Sequence, residues 1–162
     1  MTEDDVTRLA RKLGRACKRR DVGIVTAESC TGGGVATACT RISGSAKWFD
    51  RGMVTYTNVA KKEMLGVSEA TLKAHGAVSE EVAREMAAGA LNHSHADVSV
   101  AVTGIAGPTG GVPDKPVGTV HFAWGVRNGP IQTRRFRFKG DRVAVRLQSV
   151  AVALQGLIDL LR

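Results

Sequence analysis

The sequence predicts an α/β fold: a three-layer α/β/α sandwich around a mixed, mostly parallel sheet that includes one antiparallel hairpin strand. Two observations carry this. Short apolar runs rich in β-branched residues, around Ile24-Val25, Val54-Thr55 and Val98 to Val102, alternate with stretches whose apolar residues recur at helical spacing. Asn128-Gly129-Pro130 then separates two further extended runs, a tight-turn signal that makes that pair antiparallel. At 162 residues the chain is expected to form one domain over residues 1–162, long enough to bury a core.

The elements follow in order. Thr2 before Glu3, Asp4 and Asp5 reads as a helix cap with acids in the first turn. Val6, Leu9, Ala10, Leu13, Ala16 and Cys17 then share a face, opposite a basic one. A strand from Val22 runs into Ala27-Glu28-Ser29-Cys30-Thr31-Gly32-Gly33, with a helix expected over about 31–41. Residues 42–46 form a turn, Trp48 and Phe49 are core anchors, and 52–56 is the next strand. Asn58 is the expected cap of a helix that Gly66 stops. Ser68 starts a short helix, and Ser79 caps a longer one with Val82, Ala83, Met86, Ala87, Ala90 and Leu91 inward. The apolar run 97–103 reads as a central strand. Runs 117–127 and 131–139 form the hairpin, with Phe136 and Phe138 on one face and Arg135, Arg137 and Lys139 on the other. The last helix starts near Arg142, with Val143, Leu147, Val150, Leu154, Leu157 and Leu161 as its seam.

The net charge of +8 fits a phosphate-bearing small substrate, and equally a basic surface that serves no partner. One Tyr, four Phe and two Trp leave little for base stacking, so nucleic acid is not the expected partner. Three Cys without a CxxC pair argue against a disulfide framework or zinc site and fit a reducing cytoplasm. The start is not a signal peptide, and no apolar run is expected to span a membrane. His93 and His95 do not share a helix face, so no metal site is expected, and no cofactor.

A small nucleophile at a strand-to-helix turn stands at the carboxyl end of a sheet, with amides of the next turn available to a developing oxyanion. Ser29 and Cys30 both fit, and position alone does not choose between them; adjacent residues diverge, so only one should face the site. The same residues also suit an ordinary glycine-rich βα loop. Lys61 falls in the first turn of its helix, where the dipole, partial burial and neighbouring Lys62 would lower its pKa; the plain alternative is an exposed surface lysine. A second glycine loop begins at Thr103, Gly104, Ile105, Ala106 and Gly107; it is neither a P-loop nor a dinucleotide fingerprint. Arg142 can reach an anionic ligand from its helix start, and Ser45 is a lesser supporting candidate.

Five stretches together carry a resemblance: Ala27-Glu28-Ser29-Cys30-Thr31-Gly32-Gly33; Gly52-Met53-Val54-Thr55-Tyr56-Thr57-Asn58 with Ala60-Lys61; Gly76-Ala77-Val78-Ser79; Thr103-Gly104-Ile105-Ala106-Gly107-Pro108; and Lys115-Pro116-Val117-Gly118-Thr119-Val120. In that order and spacing the chain resembles the CinA C-terminal domain family in its stand-alone form. The resemblance implies hydrolysis of the carboxamide of nicotinamide mononucleotide to nicotinate mononucleotide and ammonia, a three-layer α/β/α fold and a homodimer. It places the family's serine nucleophile on Ser29, its lysine on Lys61 and its tyrosine on Tyr56. The additional N-terminal domain of two-domain CinA proteins, associated with ADP-ribose pyrophosphatase activity, is not expected here. Residue chemistry agrees: no Ser-His-Asp set is available, which leaves a Ser-Lys pair. Amides of Thr31, Gly32 and Gly33 would then hold the oxyanion, and the Thr103–Gly107 loop with Arg142 the phosphate and ribose. The rival expectations are a non-catalytic nucleotide- or nucleic-acid-binding module and an amidase for another small amide.

Overall fold

The computed structural model describes residues 1–162. The elements are α1 (Glu3–Arg20), β1 (Ile24–Glu28), α2 (Gly34–Thr40), a 3₁₀ turn (Ser45–Lys47), β2 (Phe49–Val54), α3 (Asn58–Leu65), α4 (Glu69–His75), α5 (Glu80–Asn92), β3 (Val98–Gly104), β4 (Thr119–Val126), β5 (Ile131–Arg137) and α6 (Arg142–Leu160). Thr2 caps α1 as expected: its hydroxyl accepts from the Asp5 amide, and the Asp5 carboxylate accepts from the Thr2 amide.

The sheet order is β2-β1-β3-β4-β5. β1 pairs in parallel with β2 and β3, and the β3–β4 and β4–β5 pairs are antiparallel. Four strands therefore point the same way and β4 opposes them, the mixed sheet with one reversed hairpin strand that the pattern predicts. The alternation of strand side chains splits the core into two layers. Val98, Val100, Val102, Phe122 and Trp124 face α1, α2 and α6, where Trp48 and Leu154 fill the volume. Val25, Ala27, Ala101 and Ala123 face α5, which meets them with Ala83, Ala87 and Ala90. Small residues on both surfaces let α5 lie close to the sheet.

Several boundaries differ from the sequence expectation. α2 starts at Gly34 rather than 31, because Gly32 (φ 57°) and Gly33 (φ 96°) adopt left-handed conformations that a helix excludes. β2 begins at Phe49, because its ladder to β1 starts with Phe49 opposite Ile24; its polar edge residues Asp50 and Arg51 hid it. Thr57, not Asn58, caps α3: its hydroxyl accepts from the Ala60 amide at 3.1 Å. Val143 is 72% exposed and does not belong to the α6 seam; Val145 does. α6 is also long and apolar enough to match a membrane span, with a mean hydropathy of 1.4, contrary to the expectation of no such run. Its apolarity belongs to the core, since Val150, Leu154 and Leu157 are buried against the sheet.

Gly156 marks the tightest approach of α6 to β4. A Cβ there would overlap the Trp124 ring, whose Nε1 donates to Ala153 O at 3.1 Å. Helix propensity alone would favour alanine by about 1 kcal/mol. Overpacking acts the other way and wins, so Gly156→Ala is expected to destabilise the fold by about 1–3 kcal/mol in urea unfolding. A stabilised variant would show the packing to be looser than described.

Candidate active site

β1, β2 and β3 are mutually parallel, so their carboxyl ends meet at one edge of the sheet. Ser29 follows β1, Thr55 and Tyr56 follow β2, and the loop from Ile105 follows β3. The Ser29 amide donates to Val102 O at 2.9 Å and Gly32 N donates back to Ser29 O at 3.0 Å, closing a tight turn. Ser29 is 7% exposed and Lys61 only 1%. Lys61 Nζ lies 2.9 Å from Ser29 Oγ, 2.8 Å from Thr55 O and 3.3 Å from Tyr56 O. All of these neighbours are neutral.

Burial without a carboxylate partner brings the Lys61 ammonium from its ordinary 10.5 down to about 8, with the nearby Cys30 opposing weakly. The direction matches the expectation, and so does the part of it that rested on burial; the part that rested on Lys62 does not. Lys62 turns away toward Glu69, 3.6 Å from its Oε1, and contributes nothing. Burial also separates Ser29 from Cys30. Both line the same cavity, contrary to the expectation that only one would, but the Cys30 thiol is pushed up to about 12 and stays protonated at neutral pH.

That cavity, about 270 Å³, is bounded by Ser29, Cys30, Tyr56 and Lys61 on one side. The second glycine loop closes the other side: Thr103, Gly104, Ile105, Ala106 and Gly107 all line it, as does Arg142. Arg142 donates to Gly107 O and to the Tyr56 hydroxyl, each at 2.8 Å. Tyr56 is 56% exposed, so its phenol sits at the rim on Arg142 while its carbonyl reaches Lys61. Thr103 is committed to the scaffold, its hydroxyl donating to Ala77 O at 2.9 Å.

Two expected placements fail. Thr31, Gly32 and Gly33 do not line this cavity; they border a different one behind the turn, with Arg146 and Val150. The turn that exposes Ser29 rotates the following residues away, and the Gly32 amide is spent on Ser29 O. Cys30, Ala106 and Gly107 are among the cavity-lining residues whose amides have no acceptor within the protein. Ser45 is also misplaced: it precedes β2, whereas Ser29 follows the parallel β1, so the two lie at opposite edges of the sheet.

Two residues were given no role by sequence reasoning. Glu28 is 1% exposed and accepts from Thr31 Oγ1 (2.6 Å), Val35 N (2.8 Å) and Ala36 N (3.0 Å), capping α2 in place of a side chain at Gly33. A carboxylate closing an otherwise buried strand was the available signal. Arg146 donates to Cys30 O at 3.1 Å and Thr31 O at 3.2 Å, pinning the turn from α6. Its place one helical turn after Arg142 was the only clue.

The sequence profile described as the CinA C-terminal domain matches residues 6–161. The chain is 54% identical over 157 residues to nicotinamide-nucleotide amidohydrolase PncC of Escherichia coli (strain K12), covering 97% of this chain and 95% of that one. It is 51% identical to nicotinamide-nucleotide amidohydrolase PncC of Pseudomonas putida, covering 97% and 98%. The crystal structure of competence/damage inducible protein CihA from Agrobacterium tumefaciens superposes with a TM-score of 0.95 at 48% identity, covering 98% of this chain and 96% of that one.

Proposed function

Since the protein belongs to the CinA C-terminal domain family, we propose that it hydrolyses the carboxamide of nicotinamide mononucleotide to nicotinate mononucleotide and ammonia, returning pyridine nucleotide toward NAD. The observation that carries this reading is the buried contact of 2.9 Å between Lys61 Nζ and Ser29 Oγ, in a cavity of about 270 Å³ beside a cationic rim.

An amide is a weak electrophile with a poor leaving group, so its hydrolysis needs an activated nucleophile, a place for the oxyanion and a proton for the departing nitrogen. Neutral Lys61 has two N–H groups and one lone pair. Donating the N–H groups to Thr55 O and Tyr56 O leaves the lone pair for the Ser29 hydroxyl. Lys61 takes the Ser29 proton as Oγ bonds to the carboxamide carbon, and the carbonyl electron pair moves onto oxygen. Acceptor-free amides of the cavity lining, Cys30, Ala106 and Gly107 among them, would serve as oxyanion donors, at about 3–4 kcal/mol per donor. Collapse of the adduct expels the nitrogen with the proton from Lys61, releasing ammonia and leaving an acyl-Ser29 ester. Water, deprotonated by Lys61, attacks that ester and frees the carboxylate. Tyr56 acts as an orienting group, since its hydroxyl is held by Arg142 and its carbonyl by Lys61. Arg142 holds the substrate phosphate at the rim.

The direct test is ammonia release from nicotinamide mononucleotide by the purified protein, with nicotinate mononucleotide as co-product; no release overturns the reading. Arg142→Ala removes a charged donor to the phosphate and is expected to raise KM by about 10–100-fold while kcat changes little. An unchanged KM would move the phosphate elsewhere.

A further inference from the structure

A second cavity, of about 500 Å³, lies on the far side of the Ala77-Val78 segment, and Val78 borders both cavities. His121 of β4 lines it. Val120, Phe122 and Trp124 point to the α1/α6 layer and Ala123 to the α5 layer, so His121 shares the α5 face. It is 8% exposed, and no donor or acceptor of the protein meets its ring. Its ring is thus left to meet a ligand or water in the groove.

The surroundings specify the sign of that ligand. Lys115, Arg134 and Arg135 line the groove and none forms an ion pair. Lys115 Nζ donates to His75 O at 2.6 Å, Arg135 donates to Asp114 O at 2.8 Å, and Arg134 stacks 4.7 Å from the Phe136 ring centroid. Of the carboxylates that line the groove with them, Glu80 is engaged and Glu81 only through one oxygen, its buried Oε2 having no partner. Glu80 accepts from Thr133 at 3.0 Å and Arg84 at 3.3 Å, and Glu81 faces His75 at 3.6 Å. The first turn of α5, a 13-residue helix capped by Ser79, points its positive end into the same groove.

We propose that this groove is a second anion site, separate from the catalytic cavity, that takes a phosphate group between Lys115, Arg135, His121 and the amino end of α5. The phosphate is either free or carried by a monoester. Burial, then Arg135 and Lys115, hold the His121 pKa below its ordinary 6.5, against the smaller opposing effect of Glu81 and Glu80. A bound phosphate offsets the charges of Arg135 and Lys115 and adds its own attraction for the imidazolium, so occupancy moves that pKa upward.

The test follows the imidazole resonances of the four histidines by NMR while inorganic phosphate, or separately ribose 5-phosphate, replaces chloride at constant ionic strength. The His121 signal is expected to shift saturably and to titrate at higher pH, while His93 and His95 near the other end of α5 stay still. Saturation at lower ribose 5-phosphate concentration identifies a monoester as the ligand, and the reverse order identifies free phosphate. Arg135→Ala, an exposed change, is expected to weaken the response about tenfold, whereas Arg142→Ala in the catalytic cavity leaves it intact. A His121 signal that responds to neither anion overturns the proposal. So does a response that Arg142→Ala abolishes and Arg135→Ala leaves unchanged.

Discussion

Ser29→Ala is expected to lower kcat for carboxamide hydrolysis by at least about 10⁴-fold with little change in KM, because it removes the oxygen proposed to form the acyl intermediate. The hydroxyl is small and its loss leaves the backbone turn intact, since that turn is held by Ser29 N to Val102 O and Gly32 N to Ser29 O. The variant should therefore bind substrate and melt close to wild type. Steady-state ammonia release and a thermal scan check both halves. Retention of more than about a tenth of the activity would remove Ser29 as nucleophile while leaving the reaction in place. The neighbouring thiol is no ready substitute, since Cys30 titrates only near 12.

Lys61→Met is expected to cost kcat about 10³-fold or more while leaving the fold at least as stable at pH 7. Methionine keeps the length of the stem and removes the base. The stability half follows from linkage. A lysine whose pKa falls from 10.5 unfolded to about 8 folded binds fewer protons in the native state between those values. Stability thus rises with pH from about 8 to 10.5, and below pH 8 the full penalty, on the order of 3 kcal/mol, remains. Methionine escapes that penalty but leaves Thr55 O and Tyr56 O without their donor, a smaller opposing loss. The same pKa sets the wild-type rate profile: kcat/KM climbs with pH and levels off above about 8 as Lys61 becomes neutral. A flat profile between pH 6 and 9, or a variant that melts well below wild type, would show that Lys61 is a structural ammonium rather than a base.

Much of this was written in local sequence. Asn128-Gly129 set the reversed strand, the apolar run through Val100 set a central one, and Thr2, Ser68 and Ser79 capped the helices expected of them. Each depends on residues within a few positions of one another, where steric and hydrogen-bonding rules apply directly. Pairing Ser29 with Lys61 across 32 positions was readable only through the resemblance, because separation in sequence carries no distance.

What the tertiary structure alone decided was direction and environment. The parallel register of β1 and β2 put Ser45 at the wrong edge of the sheet, and the turn after Ser29 carried Thr31, Gly32 and Gly33 behind the site. The low pKa of Lys61 comes from burial among neutral groups, not from the adjacent lysine that the sequence displays. Glu28 and Arg146 hold the turn after Ser29 through partners up to 116 positions away. Residue types and caps are properties of the chain. Facing, burial and the dielectric around an amine arise only when separate segments pack together, and those properties bring Lys61 Nζ to 2.9 Å from Ser29 Oγ.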